Sequence, residues 1–243
     1  MRVSSLHLAS RNQKEILRDP ISLVFGFGLP IVLLLLFSIM QQNMPYELFQ
    51  IEQLAPGIIV FGFSFLTLFS GMLLGKDRGS SFLMRLFASP LGAKDYIIGY
   101  FLPMLPIALL QIVICLIAAS FLGLSINANS IVALLVLLII SVLFISFGLL
   151  FGTLFTDKQV GGIFALFVNL TAFLSGVWFS LDLIGGAYKA ICYLLPFVHA
   201  VDAAKAAFEG KYQSLGGSLL IVTSYSVVIM GIAITVFRKR MSS

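Results

Sequence analysis

Charge is what this sequence has least of. Asp, Glu, Lys and Arg make up 10% of its 243 residues against 60% apolar, and mean hydropathy is +1.08. Soluble domains carry about a quarter of their residues charged, so too few charges are present here to coat a water-facing surface. Cysteine is equally scarce: Cys115 and Cys192 cannot build a disulfide framework. With two histidines in all, His7 and His199, a metal centre has no ligand set, because no Cys, Asp or second His stands at ligand spacing from His199. No Gly-x-x-x-x-Gly-Lys-Ser/Thr phosphate loop is present either, since Gly75-Lys76 runs into Asp77 and Gly210-Lys211 into Tyr212. These absences exclude a soluble enzyme, a secreted disulfide scaffold, a nucleic-acid binder and ATP hydrolysis by this sequence alone.

What is present is long uncharged runs. Asp19 to Glu47 encloses 27 residues, Glu52 to Lys76 23, Lys158 to Asp182 23 and Lys211 to Arg238 26, each the length of one bilayer-spanning helix. The run from Asp95 to Asp157 encloses 61, too long for one crossing, and it turns at Gly123-Leu-Ser-Ile-Asn127-Ala-Asn129-Ser130. The pattern predicts one all-α integral membrane domain over 1–243 with six spans, about 21–41, 55–75, 97–122, 131–155, 160–181 and 217–237. The first is too long for a signal-peptide core and lacks a small-residue cleavage site, so it is expected to be retained.

Six spans put both ends on one side. That side collects Arg2, Arg11, Lys14, Arg18, Lys76, Arg78, Arg85, Lys94, Lys158, Arg238, Lys239 and Arg240, leaving only Lys189, Lys205 and Lys211 opposite. The acidic residues divide evenly, as expected where Lys and Arg alone set orientation, so both termini are expected in the cytoplasm.

Three segments lie between loop and bilayer in character. Residues 3–19 mix Leu6, Leu8, Ile16 and Leu17 with Arg11, Lys14, Glu15, Arg18 and Asp19, which suits an interfacial helix with its basic side chains at the headgroups and a turn at Pro20. In 80–89, Phe82, Leu83, Leu86 and Phe87 share one face of a short cytoplasmic helix stopped by Pro90. Residues 182–211, half apolar and broken at Pro196, suit an outer re-entrant or interfacial hairpin.

These segments carry a resemblance. Lys14-Glu15 with Arg18-Asp19-Pro20 resembles the opening of ABC type-2 transporter permeases, where an interfacial helix with a K/R-E-x-x-R-D-P pattern leads into the first span. Asp77-Arg78-Gly79, Arg85-Leu86-Phe87-Ala88-Ser89-Pro90-Leu91, Tyr96 and Gly99 are similar to the family's loop between spans two and three, although the glutamate expected soon after Gly79 is missing. Leu195-Pro196, His199, Asp202, Lys205 and Gly210 resemble its outer hairpin. The resemblance implies the permease subunit of an ATP-driven bacterial exporter in the cell membrane. It pairs as a homodimer or heterodimer with two cytoplasmic ATPase subunits, and ATP and Mg sit on those partners with no cofactor on this chain. Its substrate would be hydrophobic or amphipathic: a drug, lipid or peptide. The same resemblance makes 80–89 a coupling helix, with Arg78, Phe82, Leu83, Arg85, Leu86, Phe87 and Pro90 against the ATPase. It also makes Ile191, Leu195, Pro196 and His199 an outer gate between two subunits.

No Asp, Glu, Lys, Arg or His lies inside the six spans, so proton-relay and hydrolytic chemistry at bilayer depth have no residues to use. The alternative is a passive channel or structural membrane component, whose pore hydroxyls and backbone can line. Ser64, Thr67, Ser70, Asn169 and Ser175, with Gln111, are the polar groups available to line a path, or to hydrogen-bond between helices. Gly71-Met-Leu-Leu-Gly75 and Gly148-Leu-Leu-Phe-Gly152 have the spacing of close-packing helices and are read as contacts within the subunit. Trp178 and Tyr46 read as interfacial anchors. The basic split makes a test. In a Cys115- and Cys192-free background, Ser4→Cys, Ala93→Cys and Ser242→Cys should resist an impermeant thiol reagent in intact cells, while Gln50→Cys, Asn127→Cys and Lys205→Cys label. Labelling of Ala93→Cys from outside overturns the orientation.

Overall fold

The computed structural model describes residues 3–43, 50–79, 92–179 and 181–241, with no β-strand among them. Helix α1 (Val3–Leu17) precedes a first span assembled from α2 (Pro20–Leu23), a π-helical turn (Val24–Gly28) and α3 (Leu29–Gln42). Pro30 has no N–H to return to Gly26, and the wider turn falls at this point. The second span is α4 (Ile51–Gly62) with α5 (Ser64–Gly79), and the third is α6 (Ala93–Phe101) with α7 (Met104–Phe121), interrupted at Leu102-Pro103. After the turn at Gly123, whose φ is +107°, comes α8 (Ala128–Leu154); Asn127 caps it by accepting from the Asn129 N–H at 2.9 Å. There follow α9 (Asp157–Leu174), α10 (Leu181–Ile184), α11 (Gly186–Tyr193), α12 (Pro196–Glu209) and α13 (Tyr212–Met241). The end of the bundle holding α1 and Met241 is termed basal, the other apical.

Among the described residues five helices are long and apolar enough to cross a bilayer, Val24–Gln42, Ile51–Gly79, Ala93–Phe121, Ala128–Leu154 and Tyr212–Met241, or six if the bent pair Gly186–Tyr193 and Pro196–Glu209 is one span. At 1.5 Å per residue, Ile51–Gly79 is about 43 Å long against ~30 Å of hydrocarbon, so Lys76, Asp77 and Arg78 reach the headgroup level. The expected fifth span, 160–181, differs. Its helix α9 ends at Leu174, where Gly176 takes φ +69° and closes the helix in the manner of a left-handed C-cap. Its first turn, Asp157-Lys158-Gln159, is polar. Even so, α9 runs alongside the second span. A Cβ on Gly75 would meet Asp157 N at 3.0 Å, and one on Gly57 would meet Val177 Cγ1 at 3.3 Å, two points about 27 Å apart along the helix.

The outer segment is two helices bent by 83° at Leu194-Leu195, α11 before the break and α12 starting on Pro196. The bend lies deep. Tyr225, 13 residues and thus about 20 Å into α13, donates its hydroxyl to Leu194 O at 2.7 Å. Phe197 packs on Phe144, Phe147 and Phe167 with ring centroids 5.4–6.2 Å apart. At its other end α12 reaches the start of α8, where Asn129 Nδ2 donates to Phe208 O at 3.5 Å and the Tyr212 hydroxyl donates to Asn129 Oδ1 at 2.7 Å. Helix α12 therefore climbs from the interior to the apical surface, as a re-entrant element does. Alanines 200, 203, 204, 206 and 207 are buried in it and let neighbouring helices approach.

The core is the contact between α5 and α8. Gly71 faces Gly148 and Gly152: a Cβ on Gly71 would meet Gly148 O at 3.0 Å, and a Cβ on Gly152 would meet Gly71 Cα at 3.1 Å and Leu74 Cβ at 2.9 Å. Thr67 donates its hydroxyl across the contact to Phe144 O at 2.8 Å. A Cβ on Gly148 would overlap Ser70 Oγ and Thr67 O. Gly148→Ala should accordingly cost about 1–3 kcal/mol, read as a lowered unfolding midpoint in detergent, while Gly161→Ala, which meets nothing within 4 Å, should be neutral or stabilising. Equal midpoints for the two variants would show that this contact is not tight.

Candidate functional site

Charged side chains gather at the basal end around Asp77, one turn from the end of α5. Its side chain is 4% exposed, so its charge must be met by protein. Arg11 of α1 meets it in a two-pronged contact, Nη1 on Oδ2 and Nη2 on Oδ1, the latter at 3.0 Å, and Tyr100 of α6 donates its hydroxyl to Oδ2 at 2.8 Å. Hydrogen bonding to Asp77 raises the Arg11 guanidinium above its ordinary pKa. Glu15, one turn after Arg11, lies 2.7 Å from Arg11 Nη2 and 2.8 Å from Lys76 Nζ. Asn12 donates Nδ2 to Gly99 O at 3.1 Å, and Leu8 fills the space a Cβ on Gly99 would need. Helix α1 is thereby fixed to the last turn of the second span and the first turns of the third, the two elements between which residues 80–91 run.

This arrangement corrects one expectation. The basic face of α1 does not point uniformly to headgroups, because Arg11 turns inward to a buried carboxylate while Leu6 and Leu17 are left half exposed. Nothing in the spacing of Arg11, Asp77 and Tyr100 signals the cluster. The available hint was an acid set directly between Lys76 and Arg78. Phe82, Leu83, Arg85, Leu86, Phe87 and Pro90 lie outside the described residues. Arg78 is described and half-buried, with Nη1 enclosed and without a hydrogen-bond partner.

In the outer helix pair the hairpin residues separate. Ile191 is exposed, Leu195 half-buried, and Pro196 and His199 buried, with His199 Nε2 3.0 Å from Tyr193 O and its ring edge-on to Tyr193. The Tyr193 hydroxyl donates to Asp202 Oδ2 at 3.3 Å. Beside it, a cavity of about 160 Å³ is lined by Ser175, Trp178, Asp202 and Lys205 among others. Trp178, half-buried, packs between Phe37 and Phe61, 5.2 and 5.3 Å away, tying the first two spans together.

The polar groups of the spans are not gathered on one surface. Ser64, Thr67 and Ser70 are fully buried; Thr67 bonds to α8, Ser70 Oγ donates to Leu66 O at 2.6 Å, and Ser64 Oγ has no partner among the described residues. Gln111 Nε2 and Ser175 Oγ are likewise enclosed without a partner there. Asn169 alone of the set is exposed on its helix, its Nδ2 donating to Ala165 O at 2.6 Å.

The basal cluster makes an ordered prediction. Asp77 is buried whereas the Arg11 side chain is 37% exposed, so removing each leaves a different penalty. Arg11→Ala strands a buried carboxylate and should cost about 3–5 kcal/mol. Asp77→Ala leaves an arginine that can reach water and should cost about 1–3 kcal/mol. The double variant should be more stable than Arg11→Ala alone. Denaturant unfolding of the purified protein reads the order, and a reversed order refutes the assignment of Asp77 as the enclosed partner.

An amphipathic first helix bonded to the helices on either side of residues 80–91, long spans free of charge along their middle and a re-entrant pair before the last span are joint properties that known proteins can share. A family model described as ABC-2 type transporter matches residues 5–208. Among curated relatives, "Putative transport permease ycf38" of Porphyra purpurea is 36% identical over 143 residues, covering 54% of this chain and 48% of that protein. The protein of the same name from Cyanophora paradoxa is 25% identical over 227 residues, 88% of this chain and 77% of the relative. A third, from Pyropia yezoensis, is 35% identical over 130 residues, so two of the three matches span about half the relative's length. With most of its length inside the family match and transport permeases as relatives, this multi-pass membrane protein belongs to the ABC-2 type transporter family.

Proposed function

We propose that this chain is the membrane subunit of an ATP-driven exporter, taking its energy from two copies of a cytoplasmic ATPase that carry ATP and Mg. The observation that carries the reading is the anchoring of α1 to both helices flanking residues 80–91. Arg11 and Tyr100 converge on Asp77, so a push on the loop reaches the first, second and third spans together. In this reading the basal end is cytoplasmic, which the assignment of twelve of the fifteen basic residues to that side by the sequence pattern supports. Phe82, Leu83, Leu86 and Phe87 form the apolar face that docks in a groove of the ATPase, with Arg78, Arg85 and Pro90 at its rim. Two copies of the chain enclose the path, and Ile191, Leu195, Pro196 and His199 form its outer gate. An interior of aliphatic and phenylalanine side chains with scattered hydroxyls favours a hydrophobic or amphipathic substrate.

The test is on the loop. Phe82→Asp with Phe87→Asp should abolish ATPase binding and stimulated ATP hydrolysis while membrane insertion persists, because a carboxylate in an apolar groove costs several kcal/mol. Undiminished binding and stimulation by the double variant overturns the docking assignment.

A further inference from the structure

The cavity beside Tyr193 lies at the other end of the bundle from the Asp77 cluster. It sits between the start of α4, the turn at 175–179 and α12, and its volume of about 160 Å³ is that of about five waters in the liquid. Ser175 on its wall is fully buried, and Ser175 Oγ has no hydrogen-bond partner among the described residues. An enclosed hydroxyl left unpaired costs free energy that a molecule in the cavity recovers by bonding to it. Charge on the wall comes in both signs. Asp182 is already ion-paired with Lys189. Asp202 accepts one hydrogen bond, from the Tyr193 hydroxyl at 3.3 Å, and Lys205 makes neither a hydrogen bond nor a direct ion pair among the described residues. Both are half-buried and line the cavity. Three residues apart on α12, they share a helix face with Cβ atoms about 5–6 Å apart, yet they do not close on one another. A simple anion here would be repelled by Asp202 and a simple cation by Lys205. A molecule carrying both charges satisfies the wall: its acidic group takes Lys205 and the Ser175 hydroxyl, and its ammonium takes Asp202.

We infer that Ser175, Asp202 and Lys205 form a binding site for a small zwitterion, a molecule with an ammonium and an acidic group a few bonds apart. It is filled from water by a free amino acid with a short side chain, or from the membrane by the ethanolamine phosphate headgroup of a phospholipid. Bound there, the ligand ties α12 to the turn that follows α9, two elements that meet the cavity from opposite ends of the sequence 175–205. The site requires only this chain, and so does not rest on the export reading.

The experiment uses the purified full chain in neutral detergent with phosphatidylglycerol, which carries no ammonium, and adds either L-alanine or phosphatidylethanolamine. Occupancy of a native-state site should raise the unfolding midpoint by about 2–4 °C. Acetate and ethylammonium, each one half of the ligand, should give no shift, and neither should L-phenylalanine, whose ring the cavity is too small to admit. The shift should vanish in Lys205→Met and in Asp202→Asn, shrink in Ser175→Ala and persist in Lys211→Gln, which removes an exposed lysine paired with Glu209. A shift with alanine identifies a free amino acid as the source, and a shift with phosphatidylethanolamine alone identifies the lipid; either supports the site. If Lys205→Met does not fold, Asp202→Asn carries the test. The inference is overturned if neither alanine nor phosphatidylethanolamine moves the wild-type midpoint, or if acetate, ethylammonium or phenylalanine alone reproduces the shift. It is equally overturned if the shift survives both Lys205→Met and Asp202→Asn, or if Lys211→Gln abolishes it as fully as they do.

Discussion

Helices in lipid gain nothing from hiding apolar surface, since the tails are as apolar as leucine, so the bundle depends on backbones that come close enough to touch. Here that contact is between α5 and α8, where Gly71, Gly148 and Gly152 remove the side chains that would hold the axes apart and Thr67 bonds across to Phe144 O. The other elements are placed by this pair. Helix α9 lies along the second span because Gly75 admits its first turn, and α12 settles on α8 through the Phe144, Phe147 and Phe197 rings. The first span, held on fewer sides, leaves Val32, Leu35, Leu36 and Ile39 open.

Exclusion of charge from the long spans puts the ion-paired contacts at their ends. The buried carboxylate is Asp77, near the end of α5, and it is satisfied by residues from two other elements. An ion pair of this kind adds little net stability, because desolvation offsets most of the attraction. What it adds is a fixed relation among α1, α5 and α6, so the basal ends of three elements move as one body. The apical end is built differently, from a broken helix pair whose bend is held by tyrosine hydroxyls on backbone oxygens and carboxylates.

Much of the fold was legible because membrane insertion writes its rules into composition. Uncharged runs mark the spans, the Gly123 to Ser130 stretch marks the turn before α8, and Pro196 marks the break in the outer pair. The glycine motifs pack within the subunit, as their frequency in spans suggested. What composition does not encode is pairing across distance. Arg11 and Asp77 are 66 residues apart and each reads alone as an ordinary interfacial charge. The end of α9 at Leu174 was hidden by the apolar residues on both sides of Ser175-Gly176, where a single positive φ stops a helix that hydrophobicity would continue. The ring contacts of Trp178 with Phe37 and Phe61, each more than a hundred residues away in sequence, were equally out of reach of composition.

The π-helical turn at Val24–Gly28 gives the first span a gear. A π turn carries one residue more than an α turn, and one residue of an α-helix is worth about 100° of rotation and 1.5 Å of travel. Below it, α2 follows directly on α1, which is bolted to Asp77; above it, α3 presents its open aliphatic face. Closing that turn to α geometry would swing the upper half of the span to a new bearing while the lower half stayed where it is. Rotation of one face could then proceed without breaking the charged anchor beneath it.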